Sequence, residues 1–454
     1  MNVNDTDRIL QVLAPHGWGA TDDPAQASLI LLNTCSVRDK AEQKMMSQLG
    51  RLAPLKEHND EVVLGVAGCV AQQEGADLLK KVPYLDLVFG PDHIADLPAL
   101  LERVKGSERR VAETSFLKRK DFRFVEADPP GEARVSEFVT IMKGCDKVCS
   151  FCIVPFTRGR EVSKPDDMVV REVERLVAAG AREVTLLGQN VNSYGKDLNL
   201  EAADSGVALR ARVPTFAQLL RRVDAVPGLE RLRFTTSHPM DAIDDLIACF
   251  GELRTLCEYF HLPVQSGSDQ VLEAMRRSYT RADYLDKIGK LRQRCPDIAL
   301  STDIIVGFPG ETEAQFEDTL SLLAEVGYDN IYAFKYSERP GTRAEKLGDT
   351  VPAADKDRRL DAVLQLQRDV TRRKMLGYVG RTLEILVEGP SQRTSRGAGE
   401  VGGGGFQMMG RTRSNVIVNV PVPLGEFWSR RWVGRLAQVV IEDAKANSLF
   451  GRFA

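Results

Sequence analysis

Three cysteines crowd into the stretch Gly144-Cys145-Asp146-Lys147-Val148-Cys149-Ser150-Phe151-Cys152. Thiolates are soft ligands, so three of them on one short loop suit zinc or an iron–sulfur cluster. A structural zinc knuckle wants four closed ligands, and no fourth Cys or His lies within the loop. Three ligands on a [4Fe–4S] cube instead leave one iron open to an exchangeable group, which favours the cluster. Cys145, Cys149 and Cys152 are therefore the candidate metal-binding and catalytic residues. The remaining five cysteines are scattered, and eight in 454 residues are too sparse for a disulfide scaffold. Cys249, Cys257 and Cys295 read as small buried hydrophobes. Cys35 and Cys69 each stand just beyond an apolar run, at the carboxyl end of an expected strand, where open α/β sheets place ligands.

The loop must be held by the elements around it. From Phe138 onward a strand–helix rhythm repeats six times, with strands at Phe138–Met142, Glu183–Leu187, Arg231–Thr235, Tyr259–Val264, Ile298–Val306 and Asn330–Tyr336. Helices are expected near Pro165–Ala179, Thr215–Val226, Met240–Cys249, Asp269–Arg294 and Glu313–Val326. Six consecutive β/α units predict a parallel partial barrel whose site lies at the carboxyl ends of the strands. The cysteine loop directly follows the first of them. Gln189, Asn190, Ser237, His238 and Gln265 fall at other strand ends around the same mouth and are candidate ligand-holding groups. The run Gly307-Phe308-Pro309-Gly310-Glu311-Thr312 lacks the Gly-Lys-Ser/Thr of a phosphate loop, so triphosphate binding is rejected, and Thr312 reads as a helix cap.

Two flanking regions read differently. Residues 1–105 alternate strands (Leu29–Leu32, Val62–Val66, Leu85–Phe89) with amphipathic stretches, an α/β pattern that opens in a helix rather than a strand. Residues 106–130 read as a charged connector. Beyond a basic helical stretch that contains Arg372 and Arg373, short runs of Val, Ile and Leu at Leu383–Val387, Val416–Val420 and Leu436–Ile441 predict a small β-barrel. The chain as a whole carries a formal charge of −3, so any nucleic-acid surface is local. From 379 onward, however, ten Lys or Arg face six Asp or Glu. Arg372, Arg373, Arg411, Arg413, Arg430 and Arg431 are candidate phosphate contacts, with Phe427, Trp428 and Trp432 for stacking. No apolar run approaches the roughly 18 residues of a membrane span, and the polar, acidic start is neither a signal nor a transit peptide.

Taken with its surroundings, the loop resembles that of the radical S-adenosylmethionine superfamily: C-x3-C-x2-C with an aromatic, Phe151, before the last Cys, at the first strand of a partial barrel. Phe138–Lys143, Ile153–Glu161, Leu187–Gly195, Thr236–Pro239, His261–Ser268 and Asp303–Thr312 narrow the resemblance to the methylthiotransferases. Gly410–Arg413 and Ala446–Gly451 resemble a TRAM domain, a small RNA-binding barrel. The resemblance implies a fold of three parts: an amino-terminal parallel α/β domain (1–105), a radical core (131–375) as a (β/α)6 partial barrel, and a TRAM barrel (378–444).

What the family implies is specific. One [4Fe–4S] cluster sits on Cys145, Cys149 and Cys152, its open iron binding S-adenosylmethionine, with Phe151, Gln189, Asn190, Ser237, His238 and Gln265 around that cofactor. A second [4Fe–4S] cluster, which handles sulfur, has Cys35 and Cys69 as two of its three ligands. The substrate is a tRNA carrying N6-dimethylallyladenosine beside the anticodon, methylthiolated at C2. A flavodoxin-like electron donor, a monomeric state and a cytoplasmic location are expected. The family's third ligand lies in a Gly-Cys-Gln-Met-Asn-like context, and this sequence begins at Met1-Asn2; a start a few dozen or fewer residues further upstream, with the missing strand and cysteine, is the expectation. The rival readings are a methylthiotransferase acting on threonylcarbamoyl-adenosine or on a ribosomal-protein aspartate, and a non-catalytic tRNA-binding iron–sulfur protein.

Overall fold

A computed structural model describes residues 1–35, 39–106, 108–126, 133–198, 214–391, 406–422 and 432–454. The amino-terminal domain opens with the helix Asn2–Leu13 and holds a four-stranded parallel sheet in the order β1 (Leu29–Thr34), β2 (Val63–Gly68), β3 (Leu87–Phe89), β4 (Val111–Glu113). Side chains alternate across β2: Val63 and Ala67 pack with Ile9, Leu13 and Leu97 on one face, Leu64 and Val66 with Met45, Leu49 and Leu78 on the other. Helices cover both faces, as a buried parallel sheet requires. The strand β4 lies in the stretch read as a connector; three residues are too few to register as a strand by periodicity.

The core follows with six parallel strands in chain order. β5 (Ser136–Thr140) is followed by a short antiparallel hairpin, β6 (Met142–Lys143) with β7 (Val162–Ser163). Next come β8 (Glu183–Leu187), β9 (Arg231–Phe234), β10 (Tyr259–His261), β11 (Ala299–Val306) and β12 (Asn330–Lys335). They form two three-stranded sheets, β5-β8-β9 and β10-β11-β12, joined where Leu232 bridges Leu256. The partial barrel expected from the sequence is thus present strand for strand. Thr215, Thr280 and Thr312 each close a capping box, with Gln218, Asp283 and Gln315, at the start of the helices Phe216–Asp224, Arg281–Arg294 and Glu313–Val326. The stretch Asp269–Arg294, which the apolar spacing predicts as one helix, is two: Asp269–Ala274 and Arg281–Arg294.

The long helix Ala353–Leu376 leads to a closed five-stranded barrel of β13 (Thr382–Pro390), β14 (Gln407–Thr412), β15 (Ile417–Pro421), β17 (Leu449–Phe453) and β16 (Leu436–Ala444). Its β14–β15 turn plugs the core. Arg233, buried on β9, donates to Glu183 Oε2 (2.8 Å), Arg413 O (2.8 Å) and Thr412 O (2.8 Å). Its neighbour Arg231, fully buried, donates to Arg411 O and to Glu384 Oε1 (3.1 Å). Two arginines inside the partial barrel thereby cap carbonyls of the small one.

Arg233→Met leaves the Glu183 carboxylate buried without its cation and uncovers two carbonyls. It is expected to destabilise the docked barrel by about 3–5 kcal/mol, read as a lower urea midpoint. Arg372→Ala, on an exposed helix face, is expected to move the midpoint by less than about 0.5 kcal/mol.

Candidate functional site

The hairpin β6–β7 pins both ends of the cysteine loop. Gly144 enters it at φ +74°, and a Cβ there would stand 2.0 Å from the Arg160 carbonyl oxygen, so only glycine fits. Cys145 N–H donates to Gly159 O (3.1 Å), and Asp146 holds Arg160 Nε (2.6 Å) while accepting Glu161 N–H (3.1 Å). The far side is tied down by Ser150, whose N–H donates to Met275 O (3.0 Å) and whose hydroxyl donates to Ala274 O (2.8 Å). Phe151 packs with Met275, Phe308 and Tyr336.

Burial pushes the Cys145 thiol up to about 12 and the Cys152 thiol to about 11, and the neighbouring thiols of the loop push the same way. Thiolates in such a place need a bound positive charge. Three thiols on one loop, with no fourth Cys or His within it, fall one short of a closed zinc site and match the three cysteine-held irons of a cube. The donor set fits a cluster.

Around the mouth, the Gln189 side chain accepts the Gly144 N–H, so the turn after β8 braces the loop directly. Asn190 Nδ2 donates to Asp241 (2.8 Å), and Asp241 also pairs with Lys147 of the loop (2.8 Å) and with Lys196. Asn190 Oδ1 and Ser237 Oγ are buried with no hydrogen-bond partner among the described residues. Orphaned polar atoms of this kind are what a polar ligand would satisfy. His238 Nδ1 accepts the Met240 N–H (3.2 Å), and its ring meets Tyr279 edge-on at 5.8 Å. Burial holds His238 neutral, and the charges of Arg277 and Lys147 add to that. Thr236 (φ +70°) and Gln265 (φ +74°) take left-handed conformations at their strand ends. Gln265 acts through its backbone, donating to Asp303 O (2.9 Å) and accepting Ile305 N–H (3.0 Å). Lys147, Asp241 and Arg277 were not legible as site residues; the Arg276-Arg277 pair inside an amphipathic run was the signal for the last.

The second cysteine pair is brought together by strand register. Thr34 of β1 pairs with Gly68 of β2, so Cys35 and Cys69 leave adjacent strand ends. Arg158, at the end of the short helix Val154–Arg158 that follows the cysteine loop, donates Nε to Cys69 Sγ (3.1 Å) and Nη2 to Asp5. A second buried pair, Lys143 with Asp92, links the same two domains. Cys249, Cys257 and Cys295 are buried as expected.

The basic candidates divide. Arg372 and Arg373 lie exposed on the helix Ala353–Leu376. Arg413 is half-buried and engaged by Glu258 (2.7 Å and 2.9 Å) and Leu256 O (2.6 Å), and Arg411 pairs with Glu388 (3.1 Å). Arg413 thereby ties the barrel to the core and Arg411 pairs within the barrel, each with a carboxylate partner that charge in the sequence does not reveal. Trp432 stacks on Phe453 at 4.1 Å. Phe427, Trp428, Arg430 and Arg431 lie outside the described residues.

Comparison with known proteins follows the same three parts. Residues 139–323 match the Radical SAM superfamily, 1–90 the Uncharacterized protein family UPF0004, and 377–454 the TRAM domain. A Geobacter sulfurreducens protein named tRNA-2-methylthio-N(6)-dimethylallyladenosine synthase is 46% identical over 451 residues, covering 99% of this chain and 94% of the relative. A Myxococcus xanthus protein of the same name is 47% identical over 458 residues, covering 100% and 91%. Among solved structures, the radical S-adenosylmethionine methyltransferase TsrM from Kitasatospora setae aligns with a TM-score of 0.53 at 14% identity, covering 76% of this chain and 71% of that one, a likeness of fold.

Gly144→Ala is expected to cost the loop its iron while leaving the helical circular dichroism intact; normal iron content after anaerobic reconstitution contradicts the loop geometry. The neutral His238 sets a pH dependence. Below its ordinary value of 6.5 the unfolded chain takes up a proton that folded His238 refuses, so stability is present above that pH and falls below it. In protein not yet reconstituted with iron, His238→Asn is expected to shrink the drop in melting temperature between about pH 7.5 and 5.5. Equal drops in wild type and variant contradict this.

Proposed function

The chain belongs to the radical S-adenosylmethionine methylthiotransferases, and from that membership we propose that it converts N6-dimethylallyladenosine beside the anticodon of tRNA to its 2-methylthio derivative. Near-full-length identity to synthases of that name carries the proposal. Cys145, Cys149 and Cys152 would hold a [4Fe–4S] cluster, which would supply the electron for reductive cleavage of S-adenosylmethionine and so the radical that opens the adenosine C2–H bond.

The residues' own work is binding, orientation and exclusion of water. Gln189 fixes the entry of the cysteine loop through Gly144 N–H. Asp241 gathers Lys147, Lys196 and Asn190, so a loop cation is neutralised before substrate arrives. The orphaned Asn190 Oδ1 and Ser237 Oγ offer hydrogen bonds to the polar end of S-adenosylmethionine. His238, held neutral, brings no charge that would compete for its carboxylate, and Phe151 and Gln265 shape the wall. Cys35 and Cys69 supply two of the three thiolates that the family's sulfur-handling cluster takes, and Arg158 seats that pair against the core. The tRNA meets Arg372 and Arg373, and the target base leaves its loop stack to reach the mouth. A flavodoxin-like protein donates the electrons, and the enzyme works as a monomer in the cytoplasm; among the described residues no helix is long and apolar enough to cross a membrane.

Purified, anaerobically reconstituted variants test the division of labour. Cys149→Ala is expected to abolish both 5′-deoxyadenosine and methylthiolated product. Cys69→Ala is expected to keep 5′-deoxyadenosine formation within about threefold of wild type while losing product by at least about a hundredfold. Product at the normal rate from Cys69→Ala would overturn the sulfur role, and normal cleavage by Cys149→Ala the radical one.

A further inference from the structure

The break in the expected helix at 275–280 has a definite content. Arg276 (φ +56°) and Ser278 (φ +54°) are both non-glycine residues in the left-handed region. Each such residue costs about 1–3 kcal/mol and persists only where its surroundings demand it. The residue between them, Arg277, turns inward and is 5% exposed. Its Nη1 donates to Cys149 Sγ (3.3 Å), its Nη2 to Pro263 O (2.7 Å) and its Nε to Tyr279 OH (2.8 Å). Two of these partners are neutral oxygens. Among the described residues no carboxylate lies within ion-pair distance of it, so this guanidinium is buried without a carboxylate counterion. An uncompensated buried charge costs several kcal/mol. Strain and desolvation together leave one positive charge fixed against one thiol of the cysteine loop.

We infer that Arg277 is a positioning residue that sets the electron affinity of the cluster held by Cys145, Cys149 and Cys152. The inference rests on the reading that a cluster binds there. A one-electron reduction adds one negative charge to a cluster and its thiolates, and a cation in contact with the Cys149 sulfur stabilises the reduced form more than the oxidised one. The N–H···S hydrogen bond acts in the same direction. Arg277 therefore makes the cluster easier for the electron donor to fill, while Pro263 O and Tyr279 OH keep the fork aimed.

The test uses the full chain carrying Cys35→Ala and Cys69→Ala, so that one site loads, with iron counted and the potential followed by electron paramagnetic resonance. With iron retained, Arg277→Gln is expected to lower the reduced-to-oxidised ratio at fixed potential at least about tenfold, a midpoint drop of about 59 mV for one electron. Arg277→Lys keeps the charge and is expected to hold the ratio within about threefold. Should Arg277→Gln lose its iron, Tyr279→Phe decides: it keeps the charge but frees the fork from Tyr279 OH, so the ratio is expected to fall more than about threefold, and an unchanged midpoint with iron retained overturns the assignment. Equal midpoints in parent and iron-replete Arg277→Gln overturn it too, including the case where only S-adenosylmethionine binding weakens. An iron-free parent would instead overturn the cluster reading, and this one with it.

Discussion

Arg158 joins the two halves of the chemistry. It is buried at the end of the helix that follows Cys152, and its guanidinium spans Asp5 of the first helix and the Cys69 thiol. A buried ion pair adds little to stability on balance, but it penalises every arrangement in which one partner is left alone. Lys143 with Asp92 and the cluster of Arg8, Lys164 and Glu172 impose the same condition across the same boundary. The amino-terminal domain can therefore dock in only one way without stranding charge. That way sets Cys69 beside Arg158, at the end of the helix that follows the loop of Cys145, Cys149 and Cys152.

The rest of the core serves the loop in a similar manner. A small hairpin holds its ends, Gln189 braces its entry, and the end of the helix Asp269–Ala274 captures Ser150. Four non-glycine residues with left-handed backbone, Thr236, Gln265, Arg276 and Ser278, lie at or near the strand ends around the mouth. Strain gathered in one place is the mark of a site whose neighbours over-determine it. At the opposite side, Arg231 and Arg233 fasten the small barrel to the core, so the chain's basic carboxy-terminal part is held at a fixed position relative to the mouth.

Much of this was legible in the sequence, for reasons that can be named. Buried parallel strands such as Val184–Leu187 and Leu300–Val306 are long enough and apolar enough to stand out, and a β/α rhythm fixes their order. Ligand chemistry made Cys145, Cys149 and Cys152 conspicuous. The short β4 and the Gly- and Arg-bearing strands β14 and β17 escaped notice, because their apolar residues are few and their pairing is decided by distant partners. The apolar period runs through Met275 and Tyr279 without interruption, so the break that aims Arg277 inward is a tertiary choice that local spacing does not encode. Arg411 and Arg413 show the converse. Their charge is local, but Glu388 and Glu258, which claim them, are distant in the chain.

The central claim concerns one atom of one nucleoside, and tRNA from source cells lacking the gene tests it most directly. Nucleosides from digested tRNA would be separated and weighed before and after the gene is restored. The account predicts that N6-dimethylallyladenosine accumulates without the gene and that its 2-methylthio derivative returns with it. Loss of the methylthio group from threonylcarbamoyl-adenosine instead, or an unchanged 2-methylthio pool, would contradict it.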